Sequence, residues 1–160
     1  MEELHRTNIA EKLQQELAIR AKYYFKGFGS YLQGLLADLD NLVEIGRTPE
    51  REQHTREMID KMVNLYQSIP FEQITDHPDY ALLLQIREAI SKLVPKVEAV
   101  LSGENSIDGS LELIKIISEK GMEYRARLSA LLKQINSQSG HEKDGFDITD
   151  IHGKVWKYPF

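Results

Sequence analysis

Apolar residues recur along most of this chain at alternating intervals of three and four positions, which is the period of one face of a helix. The longest stripe lies between Leu17 and Ile45 and predicts a long first helix in the middle of a bundle. Its members are Ala21, Phe25, Phe28, Leu32, Leu35, Leu39 and Leu42. An unbroken helix of about 42 residues would be about 63 Å long. We therefore expect either a projecting N-terminal arm or a bend at Gly27 and Gly29.

The second helix is predicted to begin at Pro49. Gly46 follows the last residue of the first stripe, Thr48 is a typical N-cap, and proline is favoured at the first helical position. The helix should end before Pro70, because proline cannot continue it. Its first half, residues 50–57, is wholly polar and charged. We expect that half to extend beyond the core, into solvent or over a partner.

The third helix is predicted from Pro78 to about Leu101, with Asp76 or His77 as its N-cap. Pro95 lies inside this range and predicts a kink or a short break. The stripe that defines the helix is Leu83, Ile86, Ile90, Leu93, Val97 and Val100.

The fourth helix is predicted to begin near Ser106 or Ser110 and to end near Ser137. Its stripe is Ile114, Ile117, Gly121, Tyr124, Leu128, Leu131 and Ile135. Gly121 lies on the seam itself, which suggests that a neighbouring helix approaches closely there.

The last residues differ in character from the helices. Residues 137–145 are polar and turn-rich, which is typical of a linker. Residues 146–151 and 154–158 predict two short strands around a two-residue turn at His152 and Gly153. A lone hairpin is marginally stable in water, so its aromatic side chains should either dock on a partner or cover the core of the bundle.

These patterns predict an all-α fold, an antiparallel four-helix bundle with five helices as a variant. The bundle occupies residues 1–136, the linker 137–145, and a C-terminal hairpin or extended tail 146–160. A chain of 160 residues fits one domain with a sizeable core.

Composition excludes several classes of function. The chain has no cysteine, which excludes disulfides, thiol catalysis and cysteine zinc sites. The net charge of −5 gives no overall attraction to nucleic acid. No apolar run approaches the length of a membrane span, and the N-terminus has no apolar signal region, so we expect a cytoplasmic protein that binds no membrane. The histidines lack metal-ligand spacing, and we expect neither a metal nor a cofactor.

Two groups of residues keep a nucleic-acid function open. Arg47 and His54 stand six residues apart at the start of the second helix, and this pair resembles the Arg…His motif of the all-helical HEPN ribonuclease family. The resemblance covers these two residues and implies acid–base attack on an RNA phosphate across a dimer interface. Thr48 departs from the family pattern, in which a larger polar residue is usual. Basic residues interleaved with aromatic ones, which can bind single strands, form the second group: Arg20, Lys22 and Lys26 beside Tyr23, Tyr24 and Phe25, with Arg125 and Arg127.

The favoured interpretation is a non-catalytic helical bundle that acts in protein–protein interaction or complex assembly, with a protein partner or a second copy of itself. The alternative is a nucleic-acid-binding or HEPN-like RNA-cleaving accessory protein. The residues predicted to bind a partner are aromatic or apolar positions in excess of the bundle seam: Tyr23, Tyr31, Leu36, Phe146, Trp156, Tyr158 and Phe160.

Overall fold

The computed structural model of this protein describes the backbone of residues 2–23, 28–139, 146–149 and 155–158, and the side chains of residues 8–23 and 32–137. Across these residues five α-helices account for most of the chain, which confirms the all-α class. In chain order the elements are α1 (Glu2–Ala21), α2 (Phe28–Glu44), α3 (Pro49–Gln67), a 3-10 turn (Phe71–Gln73), α4 (Tyr80–Leu101), α5 (Asp108–Ser139), β1 (Phe146–Thr149) and β2 (Val155–Tyr158).

The chain forms two compact units. The terminal unit comprises residues 1–25 and 122–160, and the central unit comprises residues 26–121. The first part of α5 belongs to the central unit and the rest to the terminal unit. The helix continues to Ser139, so the start of the predicted linker is helical. Residues 140–145 lie outside the described residues, and the division into a bundle, a linker and a tail stays a prediction.

The predicted first helix is two helices in the structure. α1 ends at Ala21 and α2 begins at Phe28, with Gly29 inside α2 and Gly27 outside the described residues. The interruption begins earlier than the glycines, at Lys22. Aromatic residues lose side-chain freedom in a helix, and the run that starts at Tyr23 is therefore a poor helix former before any glycine is reached. The Tyr124 hydroxyl of α5 donates to the Arg20 carbonyl, which satisfies one of the carbonyls left unpaired where α1 ends.

In the central unit α2 and α3 run antiparallel. Asp38 contacts His54, and Gly34, earlier in α2, lies against Met58, later in α3. A Cβ atom placed on Gly34 would lie 2.9 Å from the Met58 Cε atom. Glycine at this position therefore permits the close approach of the two helices.

The core of the central unit is built on the stripe of α2. Its four leucines, Leu32, Leu35, Leu39 and Leu42, are each at most 1% exposed. α3 and α4 cover them with the residues that their own stripes predicted. The buried members are Met58, Ile59, Met62 and Tyr66 of α3, and Leu83, Ile86, Ile90, Leu93, Val97 and Val100 of α4.

The start of α3 is as predicted. The Thr48 hydroxyl accepts a hydrogen bond from the Arg51 backbone N–H at 3.2 Å, and Pro49 is the first helical residue. Gly46 has φ of +146°, a conformation that favours glycine.

The expectation that the polar half of α3 extends beyond the core is wrong. His54 pairs with Asp38 of α2 at 2.6 Å, and Arg56 pairs with Glu98 of α4 at 3.1 Å. Thr55 between them is fully buried, and its hydroxyl donates to the Arg51 carbonyl at 3.0 Å. The half therefore lies over both neighbouring helices, because its charged side chains find partners on each side.

α4 departs from the prediction at its start. Its N-cap is Asp79 and not Asp76 or His77, since the His77 Nδ1 atom accepts the Asp79 backbone N–H at 3.1 Å and holds these residues in a turn. The helix passes through Pro95 without the predicted break. Pro95 and Ser91 are both exposed, so the Ser91 carbonyl that loses its helical donor can be solvated.

The two strands form an antiparallel hairpin, and β1 lies beside α1 within the terminal unit. Phe146 pairs with Tyr158, and Thr149 pairs with Val155. This register centres the connection on residue 152, so the predicted two-residue turn at 152–153 is wrong. An odd number of residues separates the last described pair, which a two-residue turn cannot accommodate.

We predict that Gly34→Leu lowers the free energy of unfolding by about 1–3 kcal/mol, because the new side chain overpacks the contact with Met58. Urea denaturation followed by circular dichroism measures the change. Gln33→Leu, on the exposed side of the same turn, is the matched control and should have little effect. Equal unfolding midpoints for the two variants would show that α2 and α3 do not approach closely here.

Candidate functional site

A groove of about 500 Å³ follows the second half of α5 in the terminal unit. The described residues that line it are Met122, Arg125, Ala126, Ser129, Ala130 and Lys133. Their intervals of three and four residues place all of them on one face of α5. The groove is therefore a property of that face and extends over about three helical turns.

The groove face is separate from the buried face of α5. Tyr124, Leu128 and Ile135 are fully buried and form the stripe that the sequence predicted. At about 100° per residue, the groove residues are centred about 150° around the helix axis from that stripe. The second half of α5 therefore presents one face to its own core and nearly the opposite face to the groove.

The lining combines an exposed apolar side chain, a short floor and two basic groups. Met122 is 71% exposed, more than any other large apolar side chain among the described residues. Ala126, Ser129 and Ala130 have short side chains, which keep the surface of the helix close to its backbone. Both charged side chains among the described lining residues, Arg125 and Lys133, are basic. A surface of this kind suits an apolar object with negative charge at its edges.

The other basic residues considered for nucleic-acid binding are held by local partners. Arg127 pairs with Glu123 at 3.2 Å, and Arg20 pairs with Glu16 at 3.4 Å, each across one helical turn. The Lys22 ammonium lies 5.9 Å from the centre of the Tyr23 ring. Lys26 lies outside the described residues. These pairings reduce the positive field that a phosphate backbone would meet, and the nucleic-acid interpretation stays a prediction.

The residues predicted to bind a partner fall into two groups. Tyr23 is only 8% exposed, so burial leaves little of its ring for a partner, and Leu36 is partly exposed. The side chains of Tyr31, Phe146, Trp156 and Tyr158 and all of Phe160 lie outside the described part of the structure. The backbone register places Phe146, Ile148, Trp156 and Tyr158 at positions that share one face of the hairpin. A partner-binding role for these residues stays a prediction.

Arg47 and His54 bind different neighbours. The Arg47 guanidinium donates to the carbonyls of Val100 and, at 2.7 Å, Glu104, where α4 ends. The His54 ring contacts the Asp38 carboxylate of α2 at 2.6 Å. Arg47 therefore satisfies carbonyls that a helix end leaves unpaired, and its guanidinium links the α2–α3 connection to α4.

Searches for two other kinds of site gave negative results. In the part of the chain that the structure describes, no three or more His, Asp or Glu side chains gather as they would around a metal ion. None of the helices searched is both long and apolar enough to cross a membrane.

Sequence reasoning missed two functional features because each depends on the tertiary fold. Asp38, the partner of His54, is 16 residues away along the chain. The groove face lies among ordinary polar positions of α5, and its signal is faint: a methionine followed after four and eight residues by alanines on a helix that already has a complete apolar stripe.

Comparison of the chain with protein-family models, curated proteins and solved structures gave no match. The functional argument therefore depends on the chemistry of the chain itself. The α5 groove is the described feature with the least evident structural purpose, whereas Arg47, His54 and Arg56 join helices of the central unit.

We predict that Arg47→Ala lowers the free energy of unfolding by about 1.5–3 kcal/mol, the range for hydrogen bonds that involve a charged group. Arg127→Ala removes an exposed pair within one helix and should cost at most about 0.5 kcal/mol. Chemical denaturation of both variants measures the difference. Indistinguishable midpoints would mean that the Arg47 guanidinium does not stabilise the end of α4.

Proposed function

We propose that this protein is a non-catalytic helical protein that acts in protein–protein interaction or complex assembly. The observation that carries the proposal is the exposure of Met122 at a concave surface with a short-chain floor. Single exposed apolar side chains are common on soluble proteins. An exposed methionine in a groove is more informative, because a flexible, polarizable side chain adapts to an apolar surface placed against it.

The burial pattern of α5 supports the same proposal. Tyr124, Leu128 and Ile135 already provide the contacts that fold the helix onto its own unit. Met122, Ala126 and Ala130 add apolar surface on another face, which stability of the unit does not require. Binding a partner would remove this surface from water.

The C-terminal hairpin is the second element of the proposal. Its register groups Phe146, Ile148, Trp156 and Tyr158 on one face, and aromatic residues are frequent anchors at protein interfaces. β1 lies beside α1, so part of the hairpin is held by the terminal unit. We propose that the aromatic positions provide a docking element in addition to the groove.

RNA cleavage is the second candidate, and one specific observation favours it. The carboxylate of Asp38 contacts His54, whose side chain is 59% exposed. A carboxylate that orients an accessible imidazole is the usual arrangement of a general base. The contacts of Arg47 weigh against this candidate, because the resemblance to the ribonuclease family requires its guanidinium at the phosphate.

We predict that a photo-crosslinking amino acid placed at position 122 forms covalent adducts with a defined protein in the cells that contain this chain. The matched control is the same amino acid at Gln85, an exposed position of α4 in the central unit. Ala126→Trp, which fills the floor of the groove, should abolish the adducts at position 122. Identical adducts at positions 122 and 85, or none at position 122, would contradict a docking role of the groove.

We predict that the purified protein does not cleave single-stranded RNA, and that His54→Ala leaves any background unchanged. Gel analysis of a labelled RNA incubated with each protein measures this. His54→Gln is the control that keeps a polar side chain over Asp38. Cleavage by the wild-type chain that both His54 variants lose would overturn the non-catalytic assignment and support the second candidate.

A further inference from the structure

We infer that the α5 groove binds an amphipathic helix of a partner protein, with acidic side chains at the edges of the partner's apolar face. This inference depends on the proposed function and adds the chemistry of the partner. It is based on the shape of the groove, the position of its apolar residues and the sign of its charges.

The shape of the groove suits a helix. From Met122 to Lys133 the lining extends over 11 intervals, which correspond to about 16 Å along the axis of α5. A partner helix of three to four turns matches this length. The short side chains of Ala126, Ser129 and Ala130 form the floor, and side chains of a second helix can pack between them as ridges into grooves.

The apolar positions select an apolar ridge. Met122 stands at one end of the groove, and Ala126 and Ala130 follow it at intervals of four residues. A partner with apolar residues at the same helical interval would cover this row. Because Met122 is highly exposed and its side chain is flexible, it can adapt to leucine, isoleucine or phenylalanine on the partner.

The charges select acidic edges. Arg125 and Lys133 are eight residues apart, which is about 12 Å along α5. Asp or Glu residues two turns apart on the partner would lie within reach of both. A second copy of α5 would present the same basic groups and be repelled, so self-association through this face is disfavoured.

The same lining is less suited to single-stranded nucleic acid. Its described residues include no aromatic ring on which a base could stack, and the floor is formed mainly by alanine. Arg127, the third basic residue of this segment, pairs with Glu123 and is not among the described lining residues. A protein helix with acidic edges therefore fits the observed residues better.

A displayed peptide library tests the inference directly. The library consists of 16-residue peptides with leucine or alanine on one helical face and a random choice of Glu, Lys, Gln or Ser elsewhere, and it is selected on the full chain. We expect Glu to be enriched over Lys at the edge positions and the selected peptides to bind about fivefold more tightly than charge-reversed versions, as two ion pairs at a rim allow.

Two variants complete the test. Arg125→Glu combined with Lys133→Glu should reverse the preference to Lys, and Ala126→Trp should abolish selection. Circular dichroism confirms that both variants fold. Selected peptides that are basic, show no charge preference or bind the Ala126→Trp variant equally well would overturn the inference, as would the absence of any enriched peptide. Competition of a short RNA with the peptides at equal affinity would also overturn it.

The outcomes separate this inference from the function on which it depends. Specific crosslinks at position 122 without acidic selection would retain the interaction function and reject the acidic helix. Acidic selection without a crosslinked protein in cells would show that the groove can bind such a helix and reject the proposed cellular role.

Discussion

Removal of the α2 leucine stripe from water is the constraint on which the central unit depends. Leu32, Leu35, Leu39 and Leu42 are almost fully buried, and each contributes about 1.5–3 kcal/mol when removed from water. α3 and α4 must therefore lie against α2, and polar contacts can form at the margins of their packing. The Arg47 guanidinium and the Arg56–Glu98 pair occupy such margins. They orient helices that apolar burial has already brought together.

The second half of α5 is different, because it has more apolar and short-chain surface than its own fold requires. One face contributes Tyr124, Leu128 and Ile135 to the core, and another face presents Met122 to solvent. A helix with this division can bind a second helix without unfolding or rearranging its own core. The proposed function uses this property: folding and binding depend on separate faces of the same element, so substitutions can alter one without the other.

Local signals in the sequence predicted the fold well where one residue determines the backbone. Thr48 and Pro49 start α3 as expected, since capping depends on neighbouring residues alone. The polar half of α3 was misjudged because its partners, Asp38 and Glu98, come from other helices. The start of α4 was missed because the His77 side chain binds the backbone two residues later. The groove was not predicted because its floor consists of alanine and serine, which are common on helix surfaces and become informative only when the structure shows a concave surface above them.

The most direct test of the account is methyl NMR of the full chain with labelled methionines, recorded while a selected acidic peptide is added. Met58 and Met62 lie in the core of the central unit and Met122 lines the groove, so the probes report on both units. The account predicts that the Met122 methyl signal shifts in proportion to occupancy while the Met58 and Met62 signals stay unchanged. Shifts at Met58 and Met62 with an unchanged Met122 signal would contradict it, because binding would then occur away from the groove.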